Sequence, residues 1–246
     1  MNEHARKAGP LTAHRRWGSI LLALSLIAAY LVHPPTLSAV GTYYVDAATG
    51  SDSNPGTPTA PWRTIQKAAD TMSAGDTVRV HAGNYPERVR VTRSGADGAP
   101  ITFEAEGTVT MGGFTVRAAS IAIRGFEISG TPNAWDDGWG IFVEGSHAVI
   151  ENNHVHDATR GGILLWAEPG DWGIRTNSIV RNNRLYRNAM VGIEFHGRNH
   201  LIEGNEVWRT IQYHPNWVPA PSYADADGMR FFGSGHIVKF NYIHDI

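Results

Sequence analysis

Short stretches of alternating apolar and polar residues fill most of the chain from Val89 onward, separated by Gly, Asn and Asp. A period of two is typical of β-strands with one buried face. Four stretches share one template, in which Gly and a hydrophobic residue open a strand and a later hydrophobic pair leads to Asn. The four copies run from Gly140, Gly162, Gly192 and Gly228 to Asn153, Asn183, Asn205 and Asn241, respectively. Three copies have the same spacing, and the longer second copy has room for a loop insertion.

This repeat predicts stacked coils, because each copy can bury its apolar face only against its neighbours. We therefore expect an all-β parallel β-helix with a short N-terminal capping helix. Earlier strands are predicted at Thr42–Val45, Thr77–Val80, Val89–Val91, Ile101–Phe103 and Ile121–Ile123. Thr64 is a good N-cap, and the apolar spacing after it predicts the capping helix over Ile65–Met72. Without a cap, the first coil would expose unpaired strand edges.

Alternation assigns the side chains of the Gly-led strands to two faces. The inward set is Ile141, Val143, Ile163, Leu165, Ile193, Phe195, Met229 and Phe231. The outward set is Phe142, Glu144, Leu164, Trp166, Glu194, His196, Arg230 and Phe232. Stacking also predicts an amide ladder of the four template asparagines. A column of alternating charge lies two residues before them, at Glu151, Arg181, Glu203 and Lys239, and is expected to be a self-neutralising surface.

Composition narrows the functional classes. The formal net charge of −2 gives no support for nucleic-acid binding, which would need a basic face. The chain has no cysteine, so it has neither a disulfide framework nor a thiolate metal site. With 246 residues and 42% hydrophobic content, it can bury a sizeable core, and one elongated domain is expected.

The N-terminus has the pattern of a secretory signal. Basic residues precede an apolar run over Ile20–Val32, and Leu37–Ala39 fits a cleavage site. The run is short for a transmembrane helix, and an uncleaved anchor is the alternative. We expect residues 1–39 to be the signal or anchor and residues 40–246 the β-helix of a secreted or cell-surface protein. No stable membrane association is expected after signal removal.

The last copy of the repeat ends close to Ile246, and the sequence shows no capping element after it. An uncapped coil exposes strand edges and apolar interior. We therefore expect the β-helix over residues 40–246 to be incomplete at its C-terminal end, and the full-length protein to be a monomer.

The outward face of the Gly-led strands has the chemistry of a candidate site. It collects carboxylates, an imidazole, a guanidinium and aromatic rings from Glu144, Glu194, His196, Arg230, Trp166 and Phe232. An acidic sugar would need aromatic area for its ring, cations for its carboxylates and acids that hold a hard metal. His196 is a candidate base because imidazole titrates near neutrality. Packing on Trp166 and Phe232 is the structural alternative for His196.

The turn before the fourth copy contains two acids. Asp225 and Asp227 are spaced i and i+2 before Gly228, so that they can bind one cation together with backbone oxygens. Alternatively, Asp and Gly only form the turn that opens the coil. Asp136–Gly138 occupies the matching turn three coils earlier, where it would be a separate site or only a turn.

The capping module, the Asn-bearing coils and the Asp-rich turn resemble secreted polysaccharide lyases with a right-handed parallel β-helix, especially the family-nine pectate lyases and their uncharacterised relatives. The resemblance covers nearly all of residues 40–246. It implies β-elimination on a uronic-acid polymer, with calcium held by Asp carboxylates and a Lys or Arg as base. Asp225 and Asp227 match the metal ligands.

The base of that family has no matching lysine in this chain. Lys239 is the only lysine after Lys67, and it belongs to the charge column. An arginine base needs a strongly depressed pKa, which an ion pair between Arg230 and Glu194 would oppose. The candidate catalytic residues are therefore Glu194, His196 and Arg230.

Two other functions fit the same scaffold. One is a non-catalytic carbohydrate-binding or surface protein. The other is a glycoside hydrolase, which needs two carboxylates about 5–10 Å apart across a sugar. Glu194 with Asp225 or Asp227 would supply that pair.

Histidines and a long loop complete the candidates. His154 and His156 share one side of a strand, but no third ligand follows at a known zinc spacing. The column of His156, Tyr186, Trp208 and His244 is expected to be stacked aromatics. The loop over Tyr213–Tyr223 would be either a wall of the site or a surface decoration.

Overall fold

The computed structural model describes residues 40–171, 173–212, 214–215 and 225–246. The signal prediction for residues 1–39, and most of the loop predicted as a wall of the site, lie outside these residues. The described part has one helix, α1 (Ile65–Thr71). Its strands are β1 (Thr42–Val45), β2 (Thr77–Val91), β3 (Ile101–Val116), β4 (Ile121–Arg124), β5 (Glu127–Ile128), β6 (Trp139–Val143), β7 (Val149–Glu151), β8 (His154–His156), β9 (Gly161–Leu165), β10 (Ile179–Arg181), β11 (Arg184–Tyr186), β12 (Val191–Arg198), β13 (Leu201–Glu203), β14 (Glu206–Trp208), β15 (Asp227–Ser234), β16 (Ile237–Lys239) and β17 (Tyr242–His244).

The strands pair in parallel along three faces of a β-helix. The first face contains β1, the first parts of β2 and β3, and then β4, β7, β10, β13 and β16. The second face contains the middle parts of β2 and β3, and then β5, β8, β11, β14 and β17. The third face contains the last parts of β2 and β3, and then β6, β9, β12 and β15. One pass through the three faces is called a coil below. The predicted all-β parallel β-helix with an N-terminal helix is confirmed.

The first coils differ from the prediction in strand length. Separate strands were expected at Thr77–Val80 and Val89–Val91, whereas β2 is continuous and crosses all three faces. Its corners are register shifts between His81 and Gly83 and between Tyr85 and Arg88, rather than tight turns. The alternation is interrupted at such shifts, which made one long strand look like two short ones.

The core lies inside the coils and includes most of the inward set. The six inward-set residues of β6, β9 and β12 are buried, namely Ile141, Val143, Ile163, Leu165, Ile193 and Phe195. The template glycines lie where the third face passes close to the second. A Cβ on Gly192 would lie closer to Val207 Cγ1 than van der Waals contact allows, and 2.7 Å from the carbonyl oxygen of Gly228. Gly140, Gly162 and Gly228 have equivalent clashes with Val155, Leu185 and Ile243. Packing therefore requires glycine at this template position.

The template asparagines form the predicted ladder at the corner between the first and second faces. Asn153 Nδ2 donates to Asn183 Oδ1 (3.1 Å), Asn183 Nδ2 to Asn205 Oδ1 (3.0 Å) and Asn205 Nδ2 to Asn241 Oδ1 (2.9 Å). These three accepting Oδ1 atoms also accept the backbone N–H of the preceding asparagine in the ladder. Each Nδ2 also donates to a backbone carbonyl of the coil before it, such as Ile150 O for Asn183. The ladder thus satisfies the buried polar groups of the corner.

The charge column on the first face is also confirmed. Arg181 lies in register between Glu151 and Glu203, and its guanidinium binds Glu151 at 2.5 Å. Lys239 binds Glu203 at 3.1 Å. Arg124 extends the column by one coil through Glu151. Because opposite charges alternate at the spacing of neighbouring strands, the column neutralises itself.

Helix α1 caps the first coil, as predicted. Thr64 Oγ1 accepts the backbone N–H of Lys67 at 3.1 Å, the expected N-cap bond. The Glu87 carboxylate accepts the N–H groups of Ile65 and Gln66, and burial raises its pKa. The buried face of α1 includes Ala68. Within the described residues, no helix has the length and apolar character that crossing a bilayer requires.

The coil formed by β15, β16 and β17 has more open apolar surface than the coils before it. Phe231 stacks on the buried Phe195 at 5.4 Å but is itself 60% exposed. Ile237 and Tyr242 are exposed as well. The inward orientation predicted for Phe231 is therefore retained, while its burial is incomplete.

Candidate functional site

Two columns of side chains project from the outer side of the third face. In the first column Phe142 pairs with Leu164, Leu164 with Glu194, and Glu194 with Arg230. The second column lies two residues later in each coil and contains Glu144, Trp166, His196 and Phe232. The outward set predicted from alternation is thus brought together on one surface.

The apolar part of this surface is closed rather than open. Phe142 and Leu164 pack with Trp139, Met190 and Val191 in a second buried cluster, outside the interior of the coils. Trp166 packs against its edge. The prediction of an outward face is correct for Phe142 and Leu164, but neighbouring segments cover these residues. This buried apolar cluster therefore lies beside the polar residues of the third face.

Glu194 and His196 form a buried hydrogen-bonded pair. Glu194 Oε1 lies 2.7 Å from His196 Nε2, and both residues are buried. Because a carboxylate only accepts, Nε2 carries the proton of this bond, and Nδ1 has the free lone pair in the neutral ring. Nδ1 is buried and has no hydrogen-bond partner within the described residues. A buried imidazole nitrogen without a partner is uncommon and points to a functional role.

Aromatic rings flank this imidazole. Trp166 and Phe232 have ring centroids 4.8 and 4.7 Å from that of His196. Trp135, from the loop before β6, meets Trp166 edge to face at 5.7 Å, and the Arg160 guanidinium lies over the Trp135 ring. The packing alternative for His196 is therefore realised together with the bond to Glu194.

Arg230 gathers three carboxylates. Its Nη2 lies 2.6 Å from Asp227 Oδ2 and 3.2 Å from Asp225 Oδ2, and its Nη1 lies 3.6 Å from Glu194 Oε2. Three acids against one guanidinium leave a negative excess at this end of the site. The structure thus places both predicted metal ligands beside Glu194.

This arrangement fits a hard divalent cation in its donor chemistry. The bonds from Asp225 and Asp227 to Arg230 use only Oδ2, and the two side chains are 65% and 42% exposed. Arg230 thus engages one oxygen of each carboxylate, and the negative excess favours a cation. Calcium binding by Asp225 and Asp227 stays a prediction.

Glu144 lies at the other end of the second column. Arg117 Nε approaches Glu144 Oε2 at 3.3 Å, and the same guanidinium binds Asp136. Arg117 was not predicted as a site residue, although it continues the outward alternation of Thr115 and precedes Glu144 by one coil. Trp135 was also missed, because it lies in a loop whose sequence has no periodic pattern.

Arg88 fixes the turn of Asp136 and Asp137. Its Nε donates to Thr115 Oγ1 (2.7 Å) and Asp137 Oδ1 (3.0 Å). Its other nitrogens donate to the carbonyl oxygens of Gly112, Phe114, Asp136 and Trp139. Burial lowers the pKa of Arg88 to about 10, although Asp137 opposes the shift. With its nitrogens engaged in this way, Arg88 is a structural residue rather than a base.

Asp136 and Asp137 are consequently held as a turn. Asp137 binds Arg88 and also Arg90, whose Nη2 lies 2.6 Å from Asp137 Oδ2. Burial pushes the pKa of Asp137 upward, but the hydrogen bonds from Arg90 and Thr115 hold it below its usual value. The segment was predicted to be either a separate metal site or only a turn, and the arginine partners favour the turn.

A second cluster of titratable groups lies on the second face. Glu127 pairs in register with His154, and one ligand atom from each of Glu127, His154 and His156 lies within 4.8 Å of the other two. Burial, and then the neighbouring His156, lower the pKa of His154. The aromatic column predicted here is confirmed, because His156, Tyr186, Trp208 and His244 stack in sequence. Glu127 was missed as a third member because it precedes both histidines by a whole coil.

Comparison with known proteins found a matching family model and two relatives of similar sequence. A family model described as "Pel9A-like, right handed beta helix region" matches residues 43–200. The uncharacterized protein YwoF of Bacillus subtilis (strain 168) is 33% identical over 181 residues, which cover 64% of this chain and 38% of YwoF. The pectate lyase PEL9 of Emericella nidulans is 34% identical over 206 residues, which cover 77% of this chain and 44% of PEL9. The chain thus spans less than half the length of either relative.

Solved structures agree in fold. XylC, in its complex with xylose, superposes with a TM-score of 0.66 at 18% identity, covering 83% of this chain and 58% of XylC. At this identity the likeness supports the fold alone. The matching family model has a right-handed β-helix, and the handedness predicted from the resemblance is confirmed.

Proposed function

Because this chain belongs to the Pel9A-like right-handed β-helix family, we propose that it binds an acidic polysaccharide outside the cytoplasm and cleaves it by β-elimination. The observation that carries this proposal is the convergence of Glu194, His196 and Arg230 beside the rings of Trp166 and Phe232. The pectate-lyase relative supports the same reaction class. The activity of the whole protein is part of the proposal, because the chain covers only part of its relatives.

The binding step uses the aromatic and cationic residues. Trp166 and Trp135 offer ring surface against which a sugar can pack. Arg117 and Arg230 offer guanidinium groups, which bind carboxylates through planar, bidentate hydrogen bonds. Both arginines already bind protein acids, so a substrate carboxylate would compete with Glu144 and Asp225 for them.

The elimination step needs a base close to the acidic carbon. In a uronic-acid residue, the proton on the carbon next to the carboxylate is removed, the electron pair forms a C=C bond, and the glycosidic C–O bond breaks. The leaving oxygen then takes a proton. We assign the base to His196 Nδ1, since Glu194 orients the ring through Nε2 and leaves Nδ1 as the acceptor. Substrate access to this buried atom requires a neighbouring side chain to move.

Arg230 and Glu194 have supporting roles in this proposal. Arg230 stabilises the negative charge that develops on the substrate carboxylate when the proton leaves. Its nitrogens are engaged by Asp225, Asp227 and Glu194, so the base is assigned to His196 instead. Calcium, when held by Asp225 and Asp227, would supply further positive charge for the same carboxylate.

The test is the absorbance at about 235 nm of the unsaturated product, on pectate, alginate and glycosaminoglycan panels, with calcium and with a chelator. The His196→Asn variant should lower kcat by about 10²-fold or more. Trp166→Ala should raise KM, whereas Trp208→Ala, a stacked tryptophan on the second face, should leave KM unchanged.

The possible outcomes separate the alternatives. New reducing ends without absorbance would identify a glycoside hydrolase, and binding without either signal would identify a carbohydrate-binding protein. Lyase activity that survives in His196→Asn would refute the assignment of the base. If the chelator and the Asp227→Ala variant both leave the activity unchanged, the calcium prediction is wrong.

A further inference from the structure

The cluster on the second face has the ligand set of a transition-metal site. Glu127 comes from β5, and His154 and His156 come from β8 of the next coil. The outer side of β8 presents both imidazoles, because residues two apart point the same way. Two imidazoles and one carboxylate are typical ligands of zinc and of similar divalent ions.

The distances suit one shared ion. Glu127 Oε1 lies 3.4 Å from His156 Nε2. Two ligand atoms bound tetrahedrally at about 2.1 Å from one ion are separated by about 3.4 Å. One ligand atom from each of the three residues lies within 4.8 Å of the others, so a small rotation of the His154 side chain would bring it into the same sphere.

A carboxylate orients the central histidine. His156 Nδ1 lies 2.8 Å from Asp157 Oδ2, and Asp157 Oδ1 is held by Arg187 at 2.8 Å. The Nδ1–H therefore points to Asp157, and the lone pair of Nε2 points toward Glu127. This carboxylate–histidine pairing is characteristic of metal-binding imidazoles, because it fixes the ring and the tautomer.

His154 is available as the third ligand. It contacts the rings of His156 and Tyr186, and neither of its nitrogens has a hydrogen-bond partner in the described part of the chain. The nearest cation on the following coil is Arg184, which pairs with Glu206 at 3.0 Å. Arg184 is therefore already neutralised by a carboxylate.

The same face carries a near copy of the arrangement that lacks one ligand. His244 Nε2 lies 3.4 Å from Glu206 Oε1, and His244 Nδ1 lies 3.0 Å from Asp245 Oδ2. Glu206 pairs in register with Tyr242, as Glu127 does with His154. The copy thus has tyrosine at the position of the second imidazole.

We propose that Glu127, His154 and His156 bind one divalent transition-metal ion of the zinc type, and that the copy with Tyr242 does not. The ion would join β5 to β8 and so fasten two adjacent coils. Its remaining coordination positions would face solvent. The site is on a different face from the proposed catalytic residues and does not depend on the proposed function.

The test is zinc titration of tag-free, chelator-treated full-length protein by calorimetry, with Co²⁺ absorption as a report of the ligand geometry. Wild type should show one tight site that depends on these residues, and Tm should rise by about 5–10 °C at a hundredfold excess over Kd. His154→Tyr, which copies the residue found in the second arrangement, should abolish this site. Glu127→Gln should weaken binding at least tenfold.

The reverse change gives the sharpest control. Tyr242→His completes the second ligand set and should add one further site per chain, while His244→Gln in wild type should change nothing. Circular dichroism of the metal-free variants checks that each is folded. The proposal is overturned if wild type binds no zinc, if His154→Tyr binds like wild type, or if Tyr242→His adds no site to a folded protein.

Discussion

At the scale of single residues, stacking gives similar side chains different roles. His196 and His200 are both buried and lie four residues apart. His196 is bound by a carboxylate and has one nitrogen without a partner among the described residues, whereas both nitrogens of His200 are used. His200 Nδ1 accepts the N–H of Ser178 at 3.1 Å, and Nε2 donates to the carbonyl oxygen of His196 at 2.8 Å. His200 is therefore a structural residue that exists as one neutral tautomer.

This assignment predicts a pH-dependent stability. Burial lowers the pKa of His200 to about 4, against about 6.5 in the unfolded chain. Between these values the unfolded chain binds more protons, so the stability from His200 is fully present above pH ~6.5 and is lost as pH falls toward ~4. The loss should be up to about 3 kcal/mol.

Denaturant unfolding of wild type and His200→Ser at pH 7 and pH 4 measures this contribution. Serine is the residue at the equivalent place in the previous coil, where Ser178 Oγ accepts the N–H of Ala148. His200→Ser should be less stable at pH 7 but should lose less stability on acidification. Equal losses in both proteins would contradict the prediction.

At the scale of the repeating element, packing between faces decides the template. The opening glycines are required by the closeness of the second face, and the asparagines satisfy the corner between the first and second faces. The residue before each asparagine in the ladder has positive φ, as in Asn152, Asn182 and Gly204. Asparagine and glycine tolerate this conformation best. The sequence repeat therefore follows from two features of every coil. One is the corner that the asparagine occupies, and the other is the close approach of the second and third faces at the glycine.

A glycine pair tests the close approach. Gly192→Ala should destabilise the protein by about 1–3 kcal/mol, because its Cβ would press on Val207 and on the backbone oxygen of Gly228. Gly170→Ala is the matched control, since a Cβ there meets no atom within 4 Å among the described residues. Its effect should stay within about 0.5 kcal/mol. Urea unfolding measures both, and similar losses in the two variants would refute the packing explanation.

At the scale of the whole molecule, the three-sided β-helix carries a different side-chain cluster on the outside of each face. The first face carries the self-neutralising charge column, the second the Glu127–His154–His156 cluster, and the third the proposed catalytic residues. Contacts in such a solenoid are made mainly between neighbouring coils. Changes on one outer surface should therefore have little effect on another.

This separation predicts two independent losses. His154→Tyr should abolish zinc binding and leave polysaccharide cleavage within about twofold of wild type, because its surroundings share no residue with the third-face site. His196→Asn should impair polysaccharide cleavage and leave zinc binding unchanged. Parallel calorimetry and absorbance assays on both variants provide the measurement. A loss of both properties in either folded variant would show that the two faces are coupled.

The periodic pattern of the chain was enough to predict the fold, the inward and outward sets, the asparagine ladder and the charge column, because each depends on a local period that the coils repeat in register. It also placed Glu194, His196 and Arg230 on one surface. Alternation also brought Trp166 and Phe232 close to His196, whereas the hydrogen bond between Glu194 and His196 became visible only in the tertiary structure. Arg117 reaches the site from the preceding coil, and Trp135 reaches it from a loop. Glu127 lies in the coil that precedes its two histidine partners. Such contacts depend on corner geometry and on side-chain direction between coils, which no single repeat encodes.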